Sequence, residues 1–270
     1  MLNSTGTVRP QEKQKQLIIN ADDFGLSTET NRGIIQCRQH GVLTSASLMV
    51  HAPAAHHAIQ YALEDPTLSL GLHVDLGEWD LRDHQWVQTR FVVPLDTPSA
   101  VRDEIAYQLE TFRDLTQRNP THLDSHQHTH QRPFIKTAMM ELAAQMGIVL
   151  RGTSAQVRFW GAFFGQDEHL CPRPENVSIA NLITLLNNLE PGITELSCHP
   201  GLDDQLDSNY REPRILEVQT LCDPLVRRVI GDLRIQLTSF LSIRQGHRGG
   251  GTTDYTDGHG LTNDDASLSE

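Results

Sequence analysis

Short apolar, β-rich runs alternate along the chain with segments whose apolar residues recur at helical spacing. Leu17 to Asn20 precedes Thr28 to His40, Leu43 to Val50 precedes Ala54 to Leu63, and Leu68 to Val74 precedes Ala100 to Thr116. The pattern resumes with Thr121 to Ser125 before Phe134 to Met146. It then runs through Ile148 to Leu150, Ile179 to Leu189, Ile193 to Cys198, Glu212 to Val229 and Ile235 to Leu241. Strands alternating with helices predict a parallel sheet with crossover helices, because parallel neighbours need a long return connection. About seven such units favour a closed or nearly closed (β/α) barrel over an open doubly wound sheet. Two connections are long for this architecture: Gly77 to Ser99, and Arg151 to Asn176, which is rich in Phe, Trp, Gly and Pro. Both are candidates for substrate-binding loops or for ordered surface insertions, and the sequence favours neither.

The pattern fades at both ends. Residues 1–15 are polar and read as a flexible segment without the apolar run of a signal peptide; residues 16–245 read as one domain; residues 246–270 are glycine-rich and polar and read as a disordered tail. No stretch approaches the roughly 20 apolar residues of a membrane span, so a soluble, cytoplasmic protein is expected, with a homo-oligomer left open. The formal charge is −12, and the tail holds five acids (Asp254, Asp257, Asp264, Asp265, Glu270) against one base, Arg248. Such a balance argues against nucleic acid as a partner, since that contact needs positive surface to displace counterions. Cys37, Cys171, Cys198 and Cys222 are widely spaced without a CxxC pair and are expected to stay reduced.

In parallel α/β folds ligands bind at the carboxyl ends of strands, and reactive side chains follow the apolar runs directly at four places. LIIN leads into Ala21-Asp22-Asp23-Phe24-Gly25, LSLGL into His73-Val74-Asp75, THLDS into His126-Gln127-His128-Thr129-His130, and TELSC into His199-Pro200-Gly201. Alone, the Asp pair would read as a solvated turn or helix cap, and each histidine as a core or turn residue. Together they define a site. Where a strand ends and the backbone turns, two adjacent carboxylates can reach one pocket, one binding a cation and the other serving as base for the attacking water. Asp124, His126, His128 and His130 follow a period of two, which on extended backbone puts them on one side. One Asp and two His leave positions open for water and substrate, as expected of a catalytic centre rather than a closed structural one. His199 is a candidate general acid toward a leaving amine or alcohol. Remaining histidines would orient ligands or contact substrate, with His128 the candidate contact. Arg151 reads equally as a substrate contact, a partner for a catalytic carboxylate or a surface salt bridge.

At these residues the sequence resembles the YdjC-like carbohydrate deacetylases, the ChbG/HpnK group. The signatures are Asn20-Ala-Asp-Asp-Phe-Gly25, Gly71-Leu-His-Val-Asp75, Thr121-His-Leu-Asp-Ser-His126 and Glu195-Leu-Ser-Cys-His-Pro-Gly201, in the family's order from about residue 16 to 245. The resemblance implies a distorted (β/α) barrel of parallel strands with outer helices. It also implies hydrolysis of an N-acetyl group from an acetylated sugar, such as a chito-oligosaccharide or a glycolipid sugar, with release of acetate. Carried over residue by residue, the metal ligands fall on Asp23, His73 and His126, the general base on Asp22 and the acid on His199. The group is described with magnesium, whereas two imidazoles suit zinc or another transition metal better. The alternatives are a metal hydrolase of a different ester or amide on the same scaffold, and a carbohydrate-binding protein without catalysis.

Overall fold

A computed structural model describes residues 14–82, 85–167, 169–202 and 210–243; residues 1–13 of the expected N-terminal segment, and the expected 246–270 tail, lie outside them. The strands are β1 (Lys15–Phe24), β2 (Ser45–Leu48), β3 (Ser69–Val74), β4 (Gly77–Arg82), β5 (Gln85–Phe91), β6 (His122–Ser125), β7 (Val149–Leu150), β8 (Val157–Trp160), β9 (Gly192–Cys198) and β10 (Gln236–Leu237). The helices are α1 (Thr28–His40), α2 (Ala55–Glu64), α3 (Pro98–Thr116), α4 (Pro133–Met146), α5 (Ile179–Asn187), α6 (Arg211–Leu221) and α7 (Pro224–Asp232). The main sheet runs β7-β6-β3-β2-β1-β9-β8, and β10 pairs with the start of β1. Its ladders are parallel. Sheet order follows chain order around the ring, and the ring breaks between β7 and β8, which no ladder joins among the described residues. The fold is therefore a distorted, incompletely closed (β/α) barrel. Among the described residues no helix is long and apolar enough to cross a membrane.

Alternation along the strands separates two faces. Leu17, Ile19 and Ala21 of β1, with Leu70 and Leu72 of β3, join the large core under the helices. The opposite face begins with a small apolar floor of Ile18, Val149, Val157 and Phe240. Above it the interior is polar: Asn20 donates to Asp22 and Ser47, Ser47 donates to Asp124, and the His122 ring lies beside Ser47 and stacks on Phe240 at 3.9 Å. Barrel interiors are commonly filled with branched aliphatics; here polar side chains occupy that space and lead up to the strand ends.

The sequence places most elements within a residue or two. Two differences have plain causes. Glu212 to Val229 is two helices, because Asp223-Pro224 removes a backbone donor and starts a new helix that Asp223 caps. The insertion Gly77 to Ser99 contains the β4–β5 hairpin, and the insertion Arg151 to Asn176 contains β8. Every residue of β5 is exposed, so its sequence carries no burial alternation to betray a strand. The four cysteines are free thiols.

α1 is anchored by Ser27, whose side chain accepts the Thr30 N–H. It packs so closely on the turn after β9 that a Cβ on Gly33 would stand 2.5 Å from the Gly201 Cα. Gly33→Ala must therefore push α1 away from the His199-Pro200-Gly201 turn. The expected cost is about 1–3 kcal/mol of stability, measured by urea unfolding; an unchanged midpoint would show that the contact is slack.

Candidate active site

The four signature segments converge at the carboxyl ends of β1, β3, β6 and β9. Asp22, Asp23 and His73 are among the last residues of their strands, and His126 and His199 come directly after theirs. Neighbouring strand residues point to opposite faces, so the Asp pair needs a break in regularity. Asp23 supplies it with φ 63, at the point where the β1–β2 register shifts. A left-handed non-glycine residue is strained, and such strain gathers at functional sites.

The two carboxylates have separate surroundings. Asp22 is 2 % exposed and receives two hydrogen bonds from Arg151, Nη1 to Oδ2 at 2.6 Å and Nη2 to Oδ1 at 2.7 Å. Its Oδ2 also lies 3.7 Å from His199 Nε2. Burial raises the Asp22 pKa, but the Arg151 charge and hydrogen bonds outweigh it and hold the carboxyl below its usual range. Asp23 turns Oδ1 toward His126 Nδ1 at 3.1 Å and His73 Nε2 at 3.4 Å, and its Oδ2 accepts from Arg214 at 2.6 Å. Against burial, Arg214 and the two imidazoles hold Asp23 well below the carboxylate range.

His73 Nδ1 faces Asp124 Oδ1 at 2.8 Å. Burial would lower its pKa; Asp124 and Asp23 overcome that and lift it to about 10. Asp124 is itself held by Ser47 and by Arg151 Nη2 at 2.9 Å. Arg151 also donates from Nε to Glu195 Oε1 at 2.7 Å. Its guanidinium is 1 % exposed and faces three buried carboxylates. This is the pairing alternative for Arg151, and it excludes the surface salt bridge.

Among the described residues two groups of side chains are close enough to hold a cation: Asp23 with His73 and His126, and Asp22 with His73 and Asp124. The second already has the Arg151 charge between its carboxylates. The first has no arginine on the oxygen that faces the imidazoles. Its separations of 3.1 and 3.4 Å suit donors meeting around an ion at bonds of about 2.0–2.2 Å. His73 Nε2 would then be the donor while Nδ1–H donates to Asp124, the outer carboxylate that orients a ligating imidazole. Asp23, His73 and His126 thus fit a divalent ion.

The period-of-two expectation for the later histidines fails beyond Ser125. Residues His126–Gln131 turn sharply through a kink at which Gln127 and His128 are both left-handed, with φ 50 and 52. Only His126 turns to Asp23. His128 packs on Phe159 and His130, and His130 bonds to Ser125. Gln127 clamps the hairpin, its side-chain amide bonding both backbone groups of Trp79 at 2.8 Å.

Several members of the site were not singled out from sequence. His199 is framed by Phe164 and Tyr210, each with its ring centre 5.4 Å away. Its backbone N–H donates to Glu217, which also accepts from the Tyr210 hydroxyl at 2.7 Å. Arg214 and Glu217 lie three residues apart on α6, where a helical period gives no sign that two buried charges face inward. Burial holds the His199 ring at about 4, so it is neutral near pH 7.

Fold and site together place the chain among (β/α)-barrel proteins that gather carboxylates and imidazoles at their strand ends. It matches the YdjC-like protein family over residues 16–232 and belongs to that family. The chain is similar to proteins named chitooligosaccharide deacetylase from Salmonella paratyphi B and Salmonella agona, 30 % identical over 269 residues, covering 85 % of this chain and 100 % of each relative. Among solved structures, an Enterococcus faecalis protein named for cellobiose-phosphate cleavage superposes with a TM-score of 0.71 at 25 % identity, over 86 % of this chain and 100 % of that one. A family 4 carbohydrate esterase from Streptomyces lividans, in complex with acetate, shares the fold with a TM-score of 0.52 at 11 % identity, over 86 % and 97 %.

Arg151→Met would strand Asp22, Asp124 and Glu195 without their counter-charge. The expected loss is about 3–5 kcal/mol in chemical unfolding, and a loss below 1 kcal/mol would contradict the buried network. The pH dependence has a definite sign. Burial lowers His122, His128, His130 and His199 to about 4. Their stabilisation is therefore complete above about pH 6.5 and lost as pH falls toward 4. Burial raises Glu195 to about 7 and Glu217 to about 8, and neighbouring carboxylates lift His73 to about 10; their stabilisation is present at low pH and lost as pH rises through those values. The cation-free protein is expected to be most stable near pH ~6–7, and urea unfolding across pH 4–9 that gave a monotonic trend would oppose this.

Proposed function

We propose that the chain is a metal-dependent carbohydrate deacetylase that hydrolyses an N-acetylated amino sugar, such as a chito-oligosaccharide, to the free amine and acetate. The observation that carries this reading is the division of the Asp pair: Asp23 Oδ1 joins His73 and His126, while Asp22 Oδ2 stands 3.7 Å from His199 Nε2. Membership of the YdjC-like family and the 30 % identity to relatives named chitooligosaccharide deacetylase support the same substrate class.

Asp23, His73 and His126 would hold one divalent cation. A cation bound there supplies Lewis acidity toward the acetyl carbonyl and the attacking water. One carboxylate oxygen and two imidazole nitrogens favour zinc or another first-row transition ion over magnesium, which prefers oxygen donors.

Asp22 Oδ2 accepts the proton of the attacking water as its oxygen bonds to the acetyl carbon. Arg151 holds that carboxylate in place with two hydrogen bonds, so its angle of approach is set before substrate arrives. His199 is neutral at rest, and its Nε2 can take the proton from Asp22 across 3.7 Å and deliver it to the sugar nitrogen as the C–N bond breaks. One water supplies the hydroxyl of the acetic acid formed, which then ionises to acetate, and the proton delivered to the amine; no covalent intermediate with the protein is needed. Phe164 and Tyr210 flank the His199 ring and leave its side chain 16 % exposed, which limits its contact with solvent while keeping it open to substrate.

Asp22→Asn is expected to retain the cation and lose acetate release by at least about 100-fold. His73→Ala is expected to lose the cation itself. Metal analysis of protein purified without an affinity tag, run beside an acetate-release assay on acetylated amino sugars and phosphoesters, tests both. Full activity in Asp22→Asn would remove the base, and turnover of phosphoesters alone would remove the deacetylase.

A further inference from the structure

Asp23 carries an arginine on the oxygen that faces away from the imidazoles. Arg214 Nη2 donates to Asp23 Oδ2 at 2.6 Å, and Arg214 Nη1 donates to the carbonyl of His199 at 3.2 Å. Arg214 is 5 % exposed and lies in the first turn of α6, beside the positive end of the helix dipole, where a cation is disfavoured. Burial and dipole both oppose its charge, so its contacts must compensate. Its Nε has no hydrogen-bond partner among the described residues, so these two hydrogen bonds, with the Tyr210 ring 5.7 Å from the guanidinium carbon, set its orientation. One turn later Glu217 accepts the His199 N–H. Helix α6 therefore grips both peptide groups of His199 and, through the same arginine, the far oxygen of Asp23.

We propose that Arg214 is a positioning residue that holds Asp23 as a one-oxygen ligand and weakens cation binding in return for a fixed carboxylate. This rests on the cation site proposed above. With Oδ2 committed to the guanidinium, only Oδ1 is offered to the cation, and a fixed positive charge across the same carboxylate repels the ion. Without Arg214 the carboxylate is free to rotate or to bind through both oxygens, and the repulsion is gone. Affinity then rises while the alignment of Asp23 with Asp22 and His199 is lost. A residue that merely supports the fold would have the opposite signature, with affinity and turnover falling together.

The test is a titration of cation-free full-length protein with Co2+, followed by its visible absorption, with acetate release measured on the same samples. Arg214→Met is expected to bind Co2+ at least about tenfold more tightly than wild type, with an altered absorption spectrum and reduced turnover. Arg214→Lys, which keeps the charge, is expected to stay near wild-type affinity and recover part of the turnover. Glu217→Gln loosens the grip on His199 without changing the charge beside Asp23, and is expected to lower turnover at unchanged Co2+ affinity. Arg214→Gln carries the same comparison if the methionine variant does not fold. Equal or weaker Co2+ binding in the charge-removing variant, with an unchanged spectrum, overturns the inference even where the wild type binds Co2+ and releases acetate. Absence of saturable Co2+ binding by the wild type overturns the cation site and this inference with it.

Discussion

Two carboxylates that adjoin in sequence are buried side by side at the end of β1, and each is neutralised by a different arginine. Arg151 reaches Asp22 from the end of β7, and Arg214 reaches Asp23 from α6. At 2 % exposure desolvation opposes both charges, and each arginine offsets that cost for its carboxylate. The left-handed turn at Asp23 directs the second carboxylate away from the first. Pairing and turn together convert a repeated residue into two chemically distinct groups.

The rest of the barrel is organised around that separation. The interior above the apolar floor is a polar network running from Ser47 and His122 through Asp124 to Arg151 and Glu195. Asp124 connects its two ends, accepting from Arg151 on one oxygen and facing His73 with the other. A change to Arg151 therefore acts on the candidate base directly and on a candidate ligand through Asp124. The outward faces of the same strands carry the helices and most of the apolar burial. The sheet can thus hold charge inside without giving up its core.

The sequence displayed the parts that follow a period. Buried strands appear as apolar runs, α1 appears as Thr28 to His40, and reactive residues mark the strand ends. Arg214 and Glu217 carry no signal in the sequence because they occupy an ordinary helical segment, and only the tertiary fold turns them toward His199 and Asp23. A period of two groups His128 with His126 only on extended backbone, and two successive left-handed residues, Gln127 and His128, end that geometry. The β4–β5 hairpin is hidden on its β5 side, where every residue is exposed and no burial alternation marks a strand. The pairing role of Arg151 was one of three readings, and only burial among carboxylates distinguishes it from a surface bridge.

A divalent cation is expected to lie with Asp23 rather than with Asp22. A crystal of the zinc-loaded protein, with the ion located by its anomalous scattering, tests this most directly. The expected result is one ion within about 2.3 Å of an Asp23 oxygen and a nitrogen of each of His73 and His126, with Asp22 still paired to Arg151. An ion bound between Asp22 and Asp124, with Arg151 displaced, would contradict it.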